Sequence, residues 1–304
     1  MEVSDIKKVL VLGAGTMGQQ IALQCATHGY SVVLYDIDPE MLKKALKHID
    51  RFMKELETSK RFSSAELAAA RERIATSTDA AEAGKNVDLI SENVPEDPAL
   101  KGKVFSQFNG ICATHTIFTS NTSSLIPSMF AEQSGRPDKV ISLHFHPNVW
   151  DATIADVMPH KGTSDETLQV VTAFARRVGQ TPIYVKREHP GYVFNTMLMA
   201  FLSSALTMVG RGVASVEDVD RSWMGVMFTP MGPFGIMDFI GLDTMWKVNS
   251  FWASSMNDPV VKKNADLLRK MLDEGKLGQK SGSGFYTYPN PSFTAKGFLK
   301  GENS

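Results

Sequence analysis

Residues 7–38 read "KKVLVLGAGTMGQQIALQCATHGYSVVLYDID". The segment opens on an apolar run, Val9 to Leu12, short and β-branched enough for a buried parallel strand. Gly13-x-Gly15-x-x-Gly18 follows at once, and Met17, Ile21, Ala22, Cys25 and Ala26 then recur at helical spacing. "GYSVVLYD" is a second strand, closing on Asp36. Strand, glycines, helix, strand and acid in that order make a βαβ unit with its glycines at the first turn. Gly13 permits the tight turn, Gly15 lets a pyrophosphate approach the backbone, and Gly18 lets the helix pack close to the strand. The helix N-terminus, with Thr16 and Met17 in its first turn, offers free N–H groups and partial positive charge to phosphates. Asp36 is placed to accept hydrogen bonds from an adenosine ribose, and its charge repels a 2′-phosphate. No arginine follows immediately to neutralise it, so the expected cofactor is NAD.

The chain has 304 residues, which suits two domains at roughly 150 residues each. Hydrophobic residues make up 43%, enough for a sizeable core. A net charge of −1, with basic residues spread along the chain, argues against a nucleic-acid binder, which needs a basic patch. Two cysteines, Cys25 and Cys112, give no disulfide framework and suit a reducing, cytoplasmic setting. The N-terminus runs straight into a strand pattern, so no signal peptide is expected. "VFNTMLMAFLSSALTMVG", 193–210, carries Asn195, Thr196, Ser203, Ser204 and Thr207 and is marginal in length for a bilayer. It reads as a buried helix at a domain or subunit interface, with no membrane partner.

Further along, 55–79 reads as helix, break, helix, a solvated arm. "VDLISENVPED", 87–97, is a strand running into a loop, which puts Glu92 and Glu96 near the ligand side of an open sheet. "HTIFTSNTSSL", 115–125, is another strand, ending in Asn121 and Ser123 on the same rim, where turn chemistry is the plainer reading. "KVISLHFH", 139–146, and "ATIADVMP", 152–159, are two strands separated by "PNVWD". If they pair antiparallel about Trp150, His144 and Asp156 stand opposite each other with Cβ atoms ~5 Å apart. A neutral imidazole can take a hydroxyl proton while hydride leaves the carbon, and a carboxylate on its other nitrogen fixes the tautomer. In a regular strand His146 points to the face opposite His144, as packing or support. No metal is expected.

Beyond "VKREHPG", 185–191, the pattern is helical: 191–210, roughly 215–226, 238–255 and 259–275, with Ser215 as an N-cap and 228–238 as a Pro/Gly loop. Met227, Phe228, Met231 and Phe234 read either as an apolar substrate channel or as core and dimer contacts. The tail from 296 reads as frayed.

Taken together, "VLGAGTMGQQIA", "ENVPEDPALKGKVF", "SNTSSL", "LHF" before a Pro, "HPGYVFN", "MGPFGIMDFIGLD" and "LGQKSGSGFYTY" resemble the (S)-3-hydroxyacyl-CoA dehydrogenase family over nearly the whole chain. The resemblance implies a fold of the α/β class: an N-terminal Rossmann-type doubly wound sheet, 1–186, with a helical arm at about 40–75, plus a C-terminal all-α domain, 187–304, for substrate and dimerisation. It implies that His144 is the general base and Asp156 its orienting acid. Ser123 and Asn195 would hold the substrate oxygens, and Glu96 and Lys101 would lie near the nicotinamide and its ribose. Lys280 would contact the cofactor side, and the arm with Lys60 and Arg61 would grip CoA. The expected activity is NAD-dependent oxidation of a 3-hydroxyacyl-CoA, short chains favoured, by a homodimer. Three departures stand out. "HFFNP" is "HFHPN" here, so Pro147 replaces an asparagine; the orienting glutamate is Asp156; and Thr196 stands where arginine is common. They keep open a non-CoA hydroxy compound as substrate, or an NAD-binding protein without turnover.

Overall fold

The structure is a computed structural model that describes residues 1–256 and 259–302. The chain divides into two compact units, Met1–Val193 and Phe194–Ser304.

The first unit runs β1 (Lys8–Leu12), α1 (Thr16–Thr27), β2 (Ser31–Tyr35), α2 (Pro39–Thr58), α3 (Ser64–Glu72), β3 (Ile74–Ser77), α4 (Ala80–Ala83), β4 (Leu89–Glu92), α5 (Pro98–Asn109), β5 (Ile117–Ser120), β6 (Val140–Phe145), β7 (Ile154–Pro159), α6 (Asp165–Arg177) and β8 (Thr181–Tyr184). The strands form one sheet in the order β3-β2-β1-β4-β5-β6-β7-β8, and every pair is parallel except β6 with β7. The order reverses between β1 and β4, the switch point where open α/β sheets bind ligands. Alternation along β1 sends Val9 and Val11 into one hydrophobic cluster and Leu10 and Leu12 into another, so helices cover both faces. Each of those four side chains is fully buried, about 1.5–3 kcal/mol apiece. The helices start where their sequences say. Asp38 caps α2 through the N–H of Glu40, Asp97 caps α5 through Ala99 and Leu100, and each is followed by a proline at the first helical position.

Two features of this unit differ from the sequence reading. The segment after the second arm helix is not helix or loop but β3, a four-residue edge strand. With burial only at Ile74 and Ser77, it carries no apolar alternation to detect. His146 lies one residue past the end of β6, where alternation no longer applies, and its ring turns to the same side as that of His144.

The second unit is helical: α7 (Phe194–Gly210), α8 (Val216–Met227), α9 (Pro233–Ile240), α10 (Leu242–Met256) and α11 (Pro259–Asp273). Ser215 caps α8 by accepting from the N–H of Asp218. The stretch read as a Pro/Gly loop entering a long helix holds α9, which starts at Pro233 and stops at Gly241, where φ is +99°. The apolar quartet splits. Phe234 is core and Met231 packs against it, whereas Met227 and Phe228 are exposed, Phe228 at 92%. Helix α7 buries only Leu202, Ala205 and Leu206. The tail is not frayed through residue 302: Phe298 is buried in this core and its carbonyl accepts from Arg221 Nε at 2.6 Å. Residues 303 and 304 lie outside the described residues.

Asp220 is the polar anchor of this unit. It is fully buried and accepts from the backbone N–H groups of Phe234 (2.8 Å) and Gly235 (3.0 Å) and from the Tyr286 hydroxyl (2.9 Å). Burial outweighs those donors and pushes its pKa up to about 6. A folded-state pKa above the unfolded 3.8 means protonation favours the fold, so this contribution is full below pH 3.8 and is lost as pH rises through 6. The stability advantage of the wild type over Asp220→Asn therefore shrinks by roughly 3 kcal/mol between acid and neutral pH. Urea unfolding of both proteins at pH 4 and pH 7 reads this directly, and an unchanged difference would refute it.

Candidate active site

The glycine turn opens the site. Gly13 adopts φ +91°, and a Cβ there would lie 2.7 Å from the carbonyl oxygen of Asn93. A Cβ on Gly18 would lie 1.9 Å from the Gly13 carbonyl, so that glycine serves helix–strand packing. At Gly15 a Cβ would meet nothing within 4 Å, and the backbone (φ −70°, ψ −170°) suits any residue. Its glycine has no internal reason, as expected of a surface a phosphate approaches. Asp36 braces the turn from β2: its Oδ2 accepts from Ala14 N at 2.8 Å and its Oδ1 from Asp38 N at 3.0 Å.

Gly15, Thr16 and Met17 form one wall of a cleft of about 290 Å³, and Asn93, Val94, Glu96, Lys101, Asn121 and Ser123 form the rest. An extended ligand laid on the glycine turn thus reaches the polar rim beyond β4 and β5, so the residues present fit a dinucleotide. That rim is built on a buried ion pair. Lys101, 1% exposed, donates to Glu92 Oε1 at 2.8 Å and to the Val94 carbonyl at 3.1 Å, and lies 3.3 Å from Glu96 Oε2. Glu92 accepts further from Ser120 Oγ (2.5 Å) and Val94 N (2.7 Å). Burial pushes the Glu92 carboxyl up, against Lys101 and these donors. Burial also raises Glu96, but Lys101 and the hydroxyls of Thr122 and Ser124 outweigh it and hold Glu96 below the usual carboxylate range. Glu96 Oε1 gathers Thr122 Oγ1 (2.5 Å), Ser123 N (2.9 Å) and Ser124 N (2.9 Å), fixing the loop that presents Ser123. Lys101 is sequestered, so it acts on the cleft by holding Glu96. Lys101→Met strands Glu92 as an unpaired buried charge and costs ~3–5 kcal/mol in urea unfolding. Adding Glu92→Gln should restore much of it; no recovery in the double variant would count against this account.

His144 and Asp156 are direct partners in the β6–β7 ladder. His144 Nδ1 lies 3.0 Å from Asp156 Oδ2, and both residues are buried. The shorter acid closes the pair without a bridging group. Burial pushes the imidazole pKa down, the Asp156 bond pulls it up, and the net is a lowered value that leaves the ring neutral near pH 7. Burial raises Asp156, but His144 and then His146 outweigh it, so the acid stays ionised. With Nδ1 donating to the carboxylate, Nε2 is left with the lone pair. Neighbours hold the ring. Tyr192, 1% exposed, stacks on it at 4.8 Å and 15°, and His146 meets it edge-on at 4.7 Å. Asn121 Oδ1 accepts from Phe145 N at 2.7 Å, tying the β5 rim to the strand end that carries the base.

Tyr192 and the second imidazole on Asp156 were not read from the sequence. Tyr192 takes φ +54° some distance along the chain from β7, and no local pattern announces that stacking. Asn195 lies in the first turn of α7, and Lys280 pairs with Asp243 at the start of α10 at 2.5 Å; both belong to the second unit. Lys60 is exposed in the turn that follows α2, with φ +57°, and the adjacent Arg61 pairs with Asp151 at 2.7 Å.

Residues 8–188 match the model of the NAD-binding domain of 3-hydroxyacyl-CoA dehydrogenase, and residues 191–288 match its C-terminal domain. The chain belongs to the 3-hydroxyacyl-CoA dehydrogenase family. The family's first domain binds NAD, and NAD is the cofactor of this chain. A probable 3-hydroxybutyryl-CoA dehydrogenase of Bacillus subtilis is 36% identical over 93% of the chain and 98% of its own length. The crystal structure of (S)-3-hydroxybutyryl-CoA dehydrogenase from Ralstonia eutropha superposes with a TM-score of 0.85 at 34% identity, covering 93% of this chain and 99% of that one. A diketoreductase structure, described by its dual catalysis of dicarbonyl compounds, has a TM-score of 0.86 at 36% identity, with the same coverage of both chains. Among the described residues, no helix is long and apolar enough to cross a membrane.

Proposed function

We propose that this member of the 3-hydroxyacyl-CoA dehydrogenase family oxidises the 3-hydroxyl of a short-chain 3-hydroxyacyl-CoA to the ketone, reversibly. The observation that carries the proposal is the buried His144–Asp156 pair at 3.0 Å, on the strand next to the loop that lines the cleft. NAD, when bound, accepts the hydride. His144 Nε2 takes the hydroxyl proton, and Asp156 stabilises the imidazolium formed. Ser123 and Asn195 position the substrate oxygens, and Lys60 at the arm meets the CoA moiety. Asp36 takes the adenosine ribose and Glu96 the nicotinamide end, with Lys101 behind it. Lys280 belongs to the cofactor side.

A second reading has specific support. The diketoreductase is as similar to this chain as the Ralstonia eutropha enzyme is, and Asp156 and Pro147 stand where the family's pattern has glutamate and asparagine. In that reading the substrate is a free β-hydroxy compound. NADH absorbance with 3-ketobutyryl-CoA, longer 3-ketoacyl-CoA esters and free β-diketones separates the two. Turnover of esters alone supports the first, turnover of free diketones alone the second, and NAD binding without any turnover refutes both.

A homodimer is supported by the apolar end of α8, where Val226, Met227 and Phe228 are 70%, 53% and 92% exposed. A cytoplasmic setting fits the two free, buried thiols; burial alone pushes that of Cys25 up to about 12.

A further inference from the structure

We propose that His144, His146 and Asp156 form a binding site for a divalent transition-metal ion of the zinc class, and that filling it switches off the base. Among the described residues this is the one place where three such side chains converge, with one donor atom from each within 4.8 Å of the others. Two imidazoles and one carboxylate suit borderline ions such as Zn²⁺ and Co²⁺ better than Mg²⁺ or Ca²⁺, which favour all-oxygen shells.

Much of the geometry is in place. His144 Nδ1 and His146 Nε2 lie 3.0 and 3.3 Å from the same oxygen, Asp156 Oδ2. A tetrahedral ion with bonds of ~2.1 Å needs donor–donor edges of about 3.4 Å. Two edges are therefore near their final length. The nitrogen–nitrogen edge closes by up to about 1.4 Å, within reach of a side-chain rotation of His146, which stands beyond the strand on the connecting loop. His144 and Asp156 are nearly sealed from water, while His146 keeps a 13% exposed edge from which an ion can enter. The charge suits a cation, since the Asp156 carboxylate lies against both imidazoles through one oxygen.

The consequence for catalysis follows from the tautomer and rests on His144 being the base. In the dyad the ring proton sits on Nδ1, facing Asp156. An ion between Nδ1 and Oδ2 takes that place. The proton of the neutral ring then resides on Nε2, with no net proton gained or lost. Nε2 is the atom that must accept the hydroxyl proton, so a loaded site has no free base.

Binding is read independently of activity. Co²⁺ titrated into the metal-free full-length protein should give a visible absorption band of low-coordinate cobalt that saturates at one ion per chain and is displaced by Zn²⁺. In His146→Phe, and separately in His146→Gln, affinity should drop by at least the ~10–100-fold that loss of a mere outer-shell partner costs. NAD binding in each variant confirms that the fold is intact. No saturable band in the wild type, or equal affinity in both variants, overturns the site. Zn²⁺ should also inhibit NADH turnover with the same midpoint, reversed by a chelator. Saturation without inhibition overturns the switch, and inactivity of the metal-free protein overturns the dehydrogenase reading instead.

Discussion

His144→Gln loses turnover by ~10²–10⁴-fold while NAD affinity stays within about twofold. The size follows from the role. Glutamine fills similar space and can donate to Asp156, but it offers no nitrogen of suitable basicity. NAD affinity should survive because the imidazole is not part of the cleft wall that begins at Gly15. Steady-state NADH absorbance gives the first quantity and fluorescence titration of NADH the second. A variant within a few-fold of wild-type turnover would remove His144 from the chemistry. Equal loss of cofactor affinity would mean that the ring supports the pocket and does not transfer the proton.

Gly15→Val produces a folded protein that binds NAD at least about 100-fold more weakly, ~2.7 kcal/mol. The effect comes from what glycine does not do there. The backbone angles are open to any residue, and a Cβ meets nothing within 4 Å, so neither strain nor collision penalises valine in the unliganded protein. Loss of chain freedom in the unfolded state even offsets part of any cost. The side chain instead occupies the space the pyrophosphate must enter. The control is Gly18→Ala, whose Cβ would stand 1.9 Å from the Gly13 carbonyl, so the fold itself should suffer. A Gly15→Val protein with normal NAD affinity, or with thermal stability as poor as Gly18→Ala, would contradict this division of labour.

The contrast between those glycines shows what a chain states openly and what it conceals. β1, α1 and β2 were legible because a buried run, a 3.6-residue period and a second buried run follow one another within 7–38. The pairing of His144 with Asp156 was legible because both lie equally far from one bend, and the ladder has them as direct partners. His146 was misread because alternation is a property of paired strand and stops at Phe145. β3 escaped because a short edge strand needs little apolar surface. The Glu92–Lys101 pair escapes in another way: Glu92 reads as a polar group near a ligand rim and Lys101 enters only through the family resemblance, while their near-complete burial depends on how α5 packs against β4. Helix α9 was hidden by its own punctuation, a proline that starts it and a glycine that ends it within eight residues.

The reversal of β7 relative to its neighbour makes the parity of two strands the quantity that keeps the dyad together. The connector between them is not idle: His146 packs on His144 and reaches Asp156, Val149 and Trp150 are buried, and Asn148 N donates to Gln20 Oε1 at 2.8 Å. A single-residue deletion inside either flanking strand is a different matter. It shifts parity by one, sends the carboxylate through the sheet to the opposite layer, and leaves the imidazole facing alanine or valine. Both strands should therefore accept substitutions that keep each side chain on its face, whereas a one-residue insertion or deletion in either should abolish the dyad.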